Sequence, residues 1–92
     1  MADRIAVERV GDDSFRVVVS ERASQSEHTV SLDDAYRARL AGGVPAEELI
    51  RRSFEFLLER EPKESILRSF ALPVIGRYFP EYEEEMKRRL RA

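Results

Sequence analysis

Residues 46–79 read AEELIRRSFEFLLEREPKESILRSFALPVIGRYF, and this stretch, which holds most of the chain's large apolar side chains, decides the fold. Its first half reads as one buried helix, and its second half as short turns, set by prolines, that fold back over that helix. Placed at about 100° per residue, Ile50, Phe54 and Leu57 form a central stripe. Leu49, Ser53 and Phe56 flank it on one side and Leu58 on the other. The apolar arc covers roughly 200°, twice the stripe a one-sided surface helix needs, so this helix must be covered on two sides. Glu48, Arg51, Arg52, Glu55 and Glu59 share the remaining wedge, with Glu48 and Arg52 in the favourable i,i+4 order. Pro45 suits the first turn, where its missing N–H costs nothing. Pro62 stops the helix by pushing the preceding residue out of the α region.

Working towards the N-terminus, three segments alternate. Ile5 and Val7 mark a first strand over residues 4–10, ended by Gly11-Asp12-Asp13. The clearest strand is 14–20, with Phe15, Val17 and Val19 on one face and Arg16, Val18 and Ser20 on the other. A third covers 27–32, with His28, Val30 and Leu32 opposed to Thr29 and Ser31. Hairpin order predicts an antiparallel meander with one wet face. Residues 33–41 follow as a short helix burying Tyr36 and Leu40, opened by the Ser31–Asp34 cap region and closed by Gly42-Gly43.

Beyond Pro62, residues 63–70 read as two helical turns burying Ile66, Leu67 and Phe70. Residues 73–79 restart a helix with Val74, Ile75, Tyr78 and Phe79 inward. Pro80 either starts the last helix, 80–91, or kinks a continuous one. In that helix Tyr82, Met86 and Leu90 form an apolar stripe. Glu83–Lys87, Glu84–Arg88 and Glu85–Arg89 are spaced to pair. The expected fold is therefore a single α+β domain over residues 1–92. It has a three-stranded antiparallel sheet (4–10, 14–20, 27–32) covered on one face by four to five helices (33–41, 46–60, 63–70, 73–79, 80–91).

Composition narrows the function. A chain of 92 residues builds one modest core, burying roughly 60–65% of its unfolded surface. The net charge of −2 supplies no electrostatic case for nucleic acid or an anionic membrane. Zero cysteines remove disulfides, thiolate catalysis and cysteine-ligated metal sites. No apolar run approaches the ~20 residues of a membrane span, and Met-Ala-Asp-Arg opens no signal peptide. A cytoplasmic location is the reading these features favour.

Phe54-Glu55-Phe56-Leu57-Leu58-Glu59-Arg60-Glu61-Pro62-Lys63-Glu64-Ser65-Ile66-Leu67-Arg68-Ser69-Phe70, then Val74-Ile75 and Arg77-Tyr78-Phe79-Pro80-Glu81-Tyr82-Glu83, resembles a family of small uncharacterised bacterial proteins with a strand-rich N-terminus and a helical C-terminus. The resemblance covers about the last two thirds of the chain. It implies a bacterial cytosolic domain and brings no activity with it. A weaker similarity, through Thr29-Val30-Ser31-Leu32, Gly43, Glu48–Ser53 and Phe56–Arg60, is to ribbon-helix-helix repressors and antitoxins. There the outward strand positions read base edges; here they would be Glu27, Thr29 and Ser31, none of them basic.

Candidate sites each meet a plainer reading. His28, the one histidine, could join Ser20, Ser26 or Ser31 and a nearby acid in a triad, but no nucleophile elbow supports one. A histidine capping the sheet edge is the simpler expectation. Glu81–Glu85 and Asp12-Asp13 read as a helix start and a turn before they read as metal ligands. Gly42-Gly43 lacks the P-loop residues, and the basic end Lys87, Arg88, Arg89 and Arg91 lacks an aromatic residue to stack a base. No catalytic residue, cofactor or metal is expected. Among Phe54, Phe56, Phe70, Tyr78, Phe79 and Tyr82, most must be core. Phe56 at the rim of the apolar arc and Tyr82 beside the acidic run are those that could be left at the surface. The expectation is a non-enzymatic interaction or accessory module that binds another protein through Phe56, Arg77, Tyr78 and Tyr82. The alternative is a ribbon-helix-helix-like regulator or antitoxin. Oligomeric state is left open.

Overall fold

Alternation of apolar and polar side chains sets the first half of the fold. In the computed structural model, which describes residues 4–90, strands β1 (Arg4–Arg9), β2 (Ser14–Ser20) and β3 (Gln25–Ser31) form an antiparallel meander. The register sets Val7 opposite Val17, Ile5 opposite Val19 and Phe15 opposite Val30. Phe15, Val17, Val19, His28 and Val30 are buried on one face, while Arg16, Glu27, Thr29 and Ser31 are exposed on the other. Arg16 reaches across that open face to both Glu8 (2.9 Å) and Glu27 (3.2 Å). The Gly11–Asp13 turn is closed by the Val10 amide donating to the Ser14 carbonyl.

Helix α1 (Asp34–Ala41) is capped by the Asp33 carboxylate, which accepts from the Ala35 and Tyr36 amides. It ends at Gly42, whose φ of 58° with ψ of −123° is a positive-φ conformation that glycine, lacking a Cβ, adopts without strain. Helix α2 (Ala46–Leu58) starts after Pro45 and ends two residues short of the expected 46–60. Ile50 and Phe54 are fully buried and Leu57 nearly so, with the sheet on one side and the returning chain on the other. Glu48 and Arg52 pair at 2.8 Å.

The third quarter of the chain differs from expectation. Residues 63–70 do not form a helix. A single 3-10 turn, Lys63–Ser65, leads into an extended segment whose end, β4 (Ser69–Ala71), pairs parallel with β3. The sheet is therefore four-stranded and mixed, in the order β1-β2-β3-β4, rather than three-stranded and antiparallel. The cause is the far edge of β3. Its backbone groups would otherwise lack partners beneath the covering helices, and the returning chain supplies them, with the Thr29 amide donating to the Arg68 carbonyl at 2.8 Å. Ser65, Ser69 and Pro73 make that stretch a poor helix, so the competition is one-sided. The chain then makes a 3-10 turn, Leu72–Val74, a single helical turn α3 (Ile75–Tyr78), and helix α4 (Tyr82–Leu90). Pro80 lies in the turn between α3 and α4, so the two helices are separate. Four α-helices and two 3-10 turns occupy the described residues; Arg91, included in the expected last helix and basic tail, lies outside them.

Candidate apolar groove

Where the chain doubles back over the end of α2 it leaves an open groove of about 170 Å³. Its walls come from three short elements: Leu57 on α2, Ser65–Leu67 and Phe70 after Pro62, and Val74, Ile75, Tyr78 and Phe79 around α3. Tyr78 is 65% exposed and Leu67 46%, and with Val10 they are the exposed large apolar side chains among the described residues. Two of those three thus stand at one groove. An apolar cavity of ~150 Å³ holds a benzene ring, so this space suits one large apolar side chain.

The expected partner-facing residues separate. Tyr78 is at the groove and Arg77, beside it on α3, is exposed. Phe56 and Tyr82, against expectation, are not at the surface: both are fully buried. Phe56 lies in an aromatic cluster, edge-on to Phe79 (5.9 Å) and to Tyr82 (5.4 Å), with the Arg60 guanidinium 3.7 Å over its ring. Tyr82 sends its hydroxyl to Ser53 on α2 at 2.6 Å. The side of α2 that the helical wheel leaves at a rim is where α4 packs. Leu67 and Tyr78, both expected to point inward, are turned out because 66–71 is extended and α3 is a single turn.

Glu61 is the one groove residue with a formal charge. Its carboxyl is half-buried, and burial raises its pKa above the ordinary carboxylate value. Its neighbours are differently placed: Glu59 and Glu81 pair with Arg60, and Glu64 with Lys63. Lys63, only 2% exposed, inserts its ammonium among Glu21 (2.9 Å), Ser24 (2.6 Å) and Glu64 (2.6 Å), tying the β2–β3 loop to the turn after Pro62. Bonds to Glu64 and Glu21 hold its pKa above the lysine norm. Neither residue has a local signal in the sequence, because each owes part of its setting to residues distant in the chain, Glu21 and Ser24 for Lys63 and Val74, Ile75, Tyr78 and Phe79 for Glu61.

His28 is not a cap on the sheet edge. It is 2% exposed, beneath Phe54 (5.3 Å between rings). Nδ1 lies 2.8 Å from the Leu67 carbonyl oxygen and Nε2 2.8 Å from the Ser26 hydroxyl. A carbonyl only accepts, so Nδ1 carries the proton, and in the neutral ring Nε2 accepts from Ser26. A serine–histidine pair is thus present, with a backbone carbonyl where a triad would place a carboxylate, and the groove does not border it.

Most of the acidic run at the start of α4 is spent on pairing, Glu84 being the exception. Glu83 accepts from the Tyr36 hydroxyl at 2.7 Å and faces Arg39, while Glu85 pairs with Arg88 and Arg89. Of the three expected pairs along α4, only Glu85–Arg89 forms as spaced. No group of three or more metal-ligating side chains occurs among the described residues, and no helix there is long and apolar enough to cross a membrane. Comparison with protein-family models, with curated proteins and with solved structures finds no match for this chain.

Proposed function

We propose that the chain is a non-enzymatic interaction module that binds another protein in the groove between α2 and α3, with Tyr78 at its rim and Arg77 beside it. The observation that carries this reading is the exposure of Leu67 and Tyr78 around one concave apolar space. A small domain gains stability by burying such side chains, and an exposed apolar concavity is where a partner gains most by covering it. Phe56 and Tyr82 serve this surface from beneath, by supporting Phe79 and α4. A place in the small bacterial family whose C-terminal pattern it resembles, and a cytosolic setting, belong to the same proposal.

Two other readings have less support. A ribbon-helix-helix dimer pairs one strand of each subunit, but both edges of β3 are occupied by β2 and β4. Catalysis at Ser26–His28 would need donors for an oxyanion and room for a substrate beside the pair.

The test is a pull-down from bacterial lysate with the wild type, the double variant Leu67→Asp/Tyr78→Ser, and Val10→Ser as an exposed control far from the groove in sequence. Partners retained by wild type and Val10→Ser but lost by the double variant support the groove. Partners retained by all three, or labelling of Ser26 by a fluorophosphonate, would overturn the reading.

A further inference from the structure

We propose that the groove selects a partner segment carrying one large apolar side chain next to a lysine or arginine, the apolar group entering the cavity and the cation meeting Glu61. This rests on the docking reading above and adds the chemistry of what docks.

Three observations point the same way. The cavity volume of about 170 Å³ fits a single ring or branched aliphatic group rather than a whole helix face. Its lining contains one formal charge, the Glu61 carboxylate, and no base. That carboxylate makes no ion pair or side-chain hydrogen bond among the described residues, although Glu59 and Glu64, within three residues of it, and Glu81, bound to Arg60, are all paired. Arg68 and Arg77, the exposed bases on the flanking segments, neither line the groove nor pair with Glu61. A half-buried carboxylate on an apolar wall has given up water without gaining a partner, which is the setting in which an incoming cation gains most. The upward displacement of the Glu61 pKa by burial is consistent with this. An anionic partner would meet the opposite: an uncompensated like charge beside the apolar contact.

The experiment compares two near-isosteric probes, 3-phenylpropylamine and 3-phenylpropanoate, titrated into the isotope-labelled full chain and followed by amide NMR. It is run at about pH 8, above the carboxylate range. The amine is expected to shift the amides of Leu57, Glu61, Leu67 and Tyr78 and to bind about fivefold or more tightly than the carboxylate, the size of a partly screened ion pair. In Glu61→Gln the two probes should bind alike, with the apolar contribution retained. Equal binding of both probes to the wild type would overturn the charge selection and leave the groove standing. If neither probe shifts these amides, the docking surface itself is wrong and the selection falls with it.

Discussion

The ring of His28 donates from Nδ1 to the carbonyl oxygen of Leu67 across 2.8 Å, while the side chain of that same leucine stands 46% exposed at the groove. A buried polar residue on β3 thereby holds the backbone of the segment that forms the groove's outer wall. Nitrogen-15 NMR of the neutral imidazole should find the proton on Nδ1 and none on Nε2. His28→Ala leaves the carbonyl without its donor and a void under Phe54, and should cost about 2–4 kcal/mol in urea unfolding. The other tautomer, or a loss near zero, would detach His28 from the groove wall.

Ser53 and Tyr82 join α2 to α4, and their two hydroxyls are not equivalent. Ser53 donates to the Leu49 carbonyl at 2.8 Å, so the 2.6 Å bond between the hydroxyls must use the tyrosine proton. Ser53→Ala strands a buried donor and should cost about 1–3 kcal/mol, whereas Tyr82→Phe forfeits one bond, about 1 kcal/mol. The double variant should lose less than the sum of the two. Equal single losses, adding simply, would show that the hydroxyls do not interact.

Lys63 is the clamp between the β2–β3 loop and the turn after Pro62. Lys63→Ala should lower the melting temperature and speed amide exchange at Glu21–Ser24. Lys63→Met, which keeps the apolar stem, should restore part of the melting temperature but not the loop protection. Unchanged exchange in that loop would mean that the ion pairs form without holding it.

Both pH limbs have a sign. Burial first, then the hydrogen bond to Glu83, raises the Tyr36 phenol, and burial raises that of Tyr82. Their folded values lie above the unfolded value of about 10, so this contribution is fully present below about pH 10 and is lost as pH rises through the folded values. Arg89 holds the Glu59 and Glu85 carboxyls below the usual range. Their contribution is present above about pH 4.3 and fades as pH falls through the folded values, modestly because Glu59 is exposed and Glu85 partly so. Chemical-denaturation stability measured against pH should therefore fall at both ends, and a rise above pH 10 would contradict the buried phenols.

Where a local pattern governs, the sequence and the structure agree closely. Residues 14–20 alternate apart from Val18 and form β2, and the wide arc of Ile50, Phe54 and Leu57 is covered on two sides. Legibility ends where two parts of the chain compete for one edge. Ile66 and Phe70 are spaced as a helix would space them, yet the unfilled side of β3 draws Ser69–Ala71 into the sheet. Phe56 lies at the margin of the helical wheel, and the docking of Phe79 and α4, with the Arg60 guanidinium over the ring, seals it. Of the four residues expected to meet a partner, Arg77 and Tyr78 are at the surface. Glu61 was hidden among ordinary charged residues before a proline, since its isolation depends on which neighbours find arginines.

The chain has three tyrosines, one histidine and no tryptophan, so photochemically induced nuclear polarisation reads the accessible rings with little overlap. Tyr78 should polarise strongly, Tyr36 weakly, and Tyr82 and His28 not at all. A silent Tyr78 beside a polarised Tyr82 would mean that the chain does not double back over α2 in this way, and that the groove does not exist.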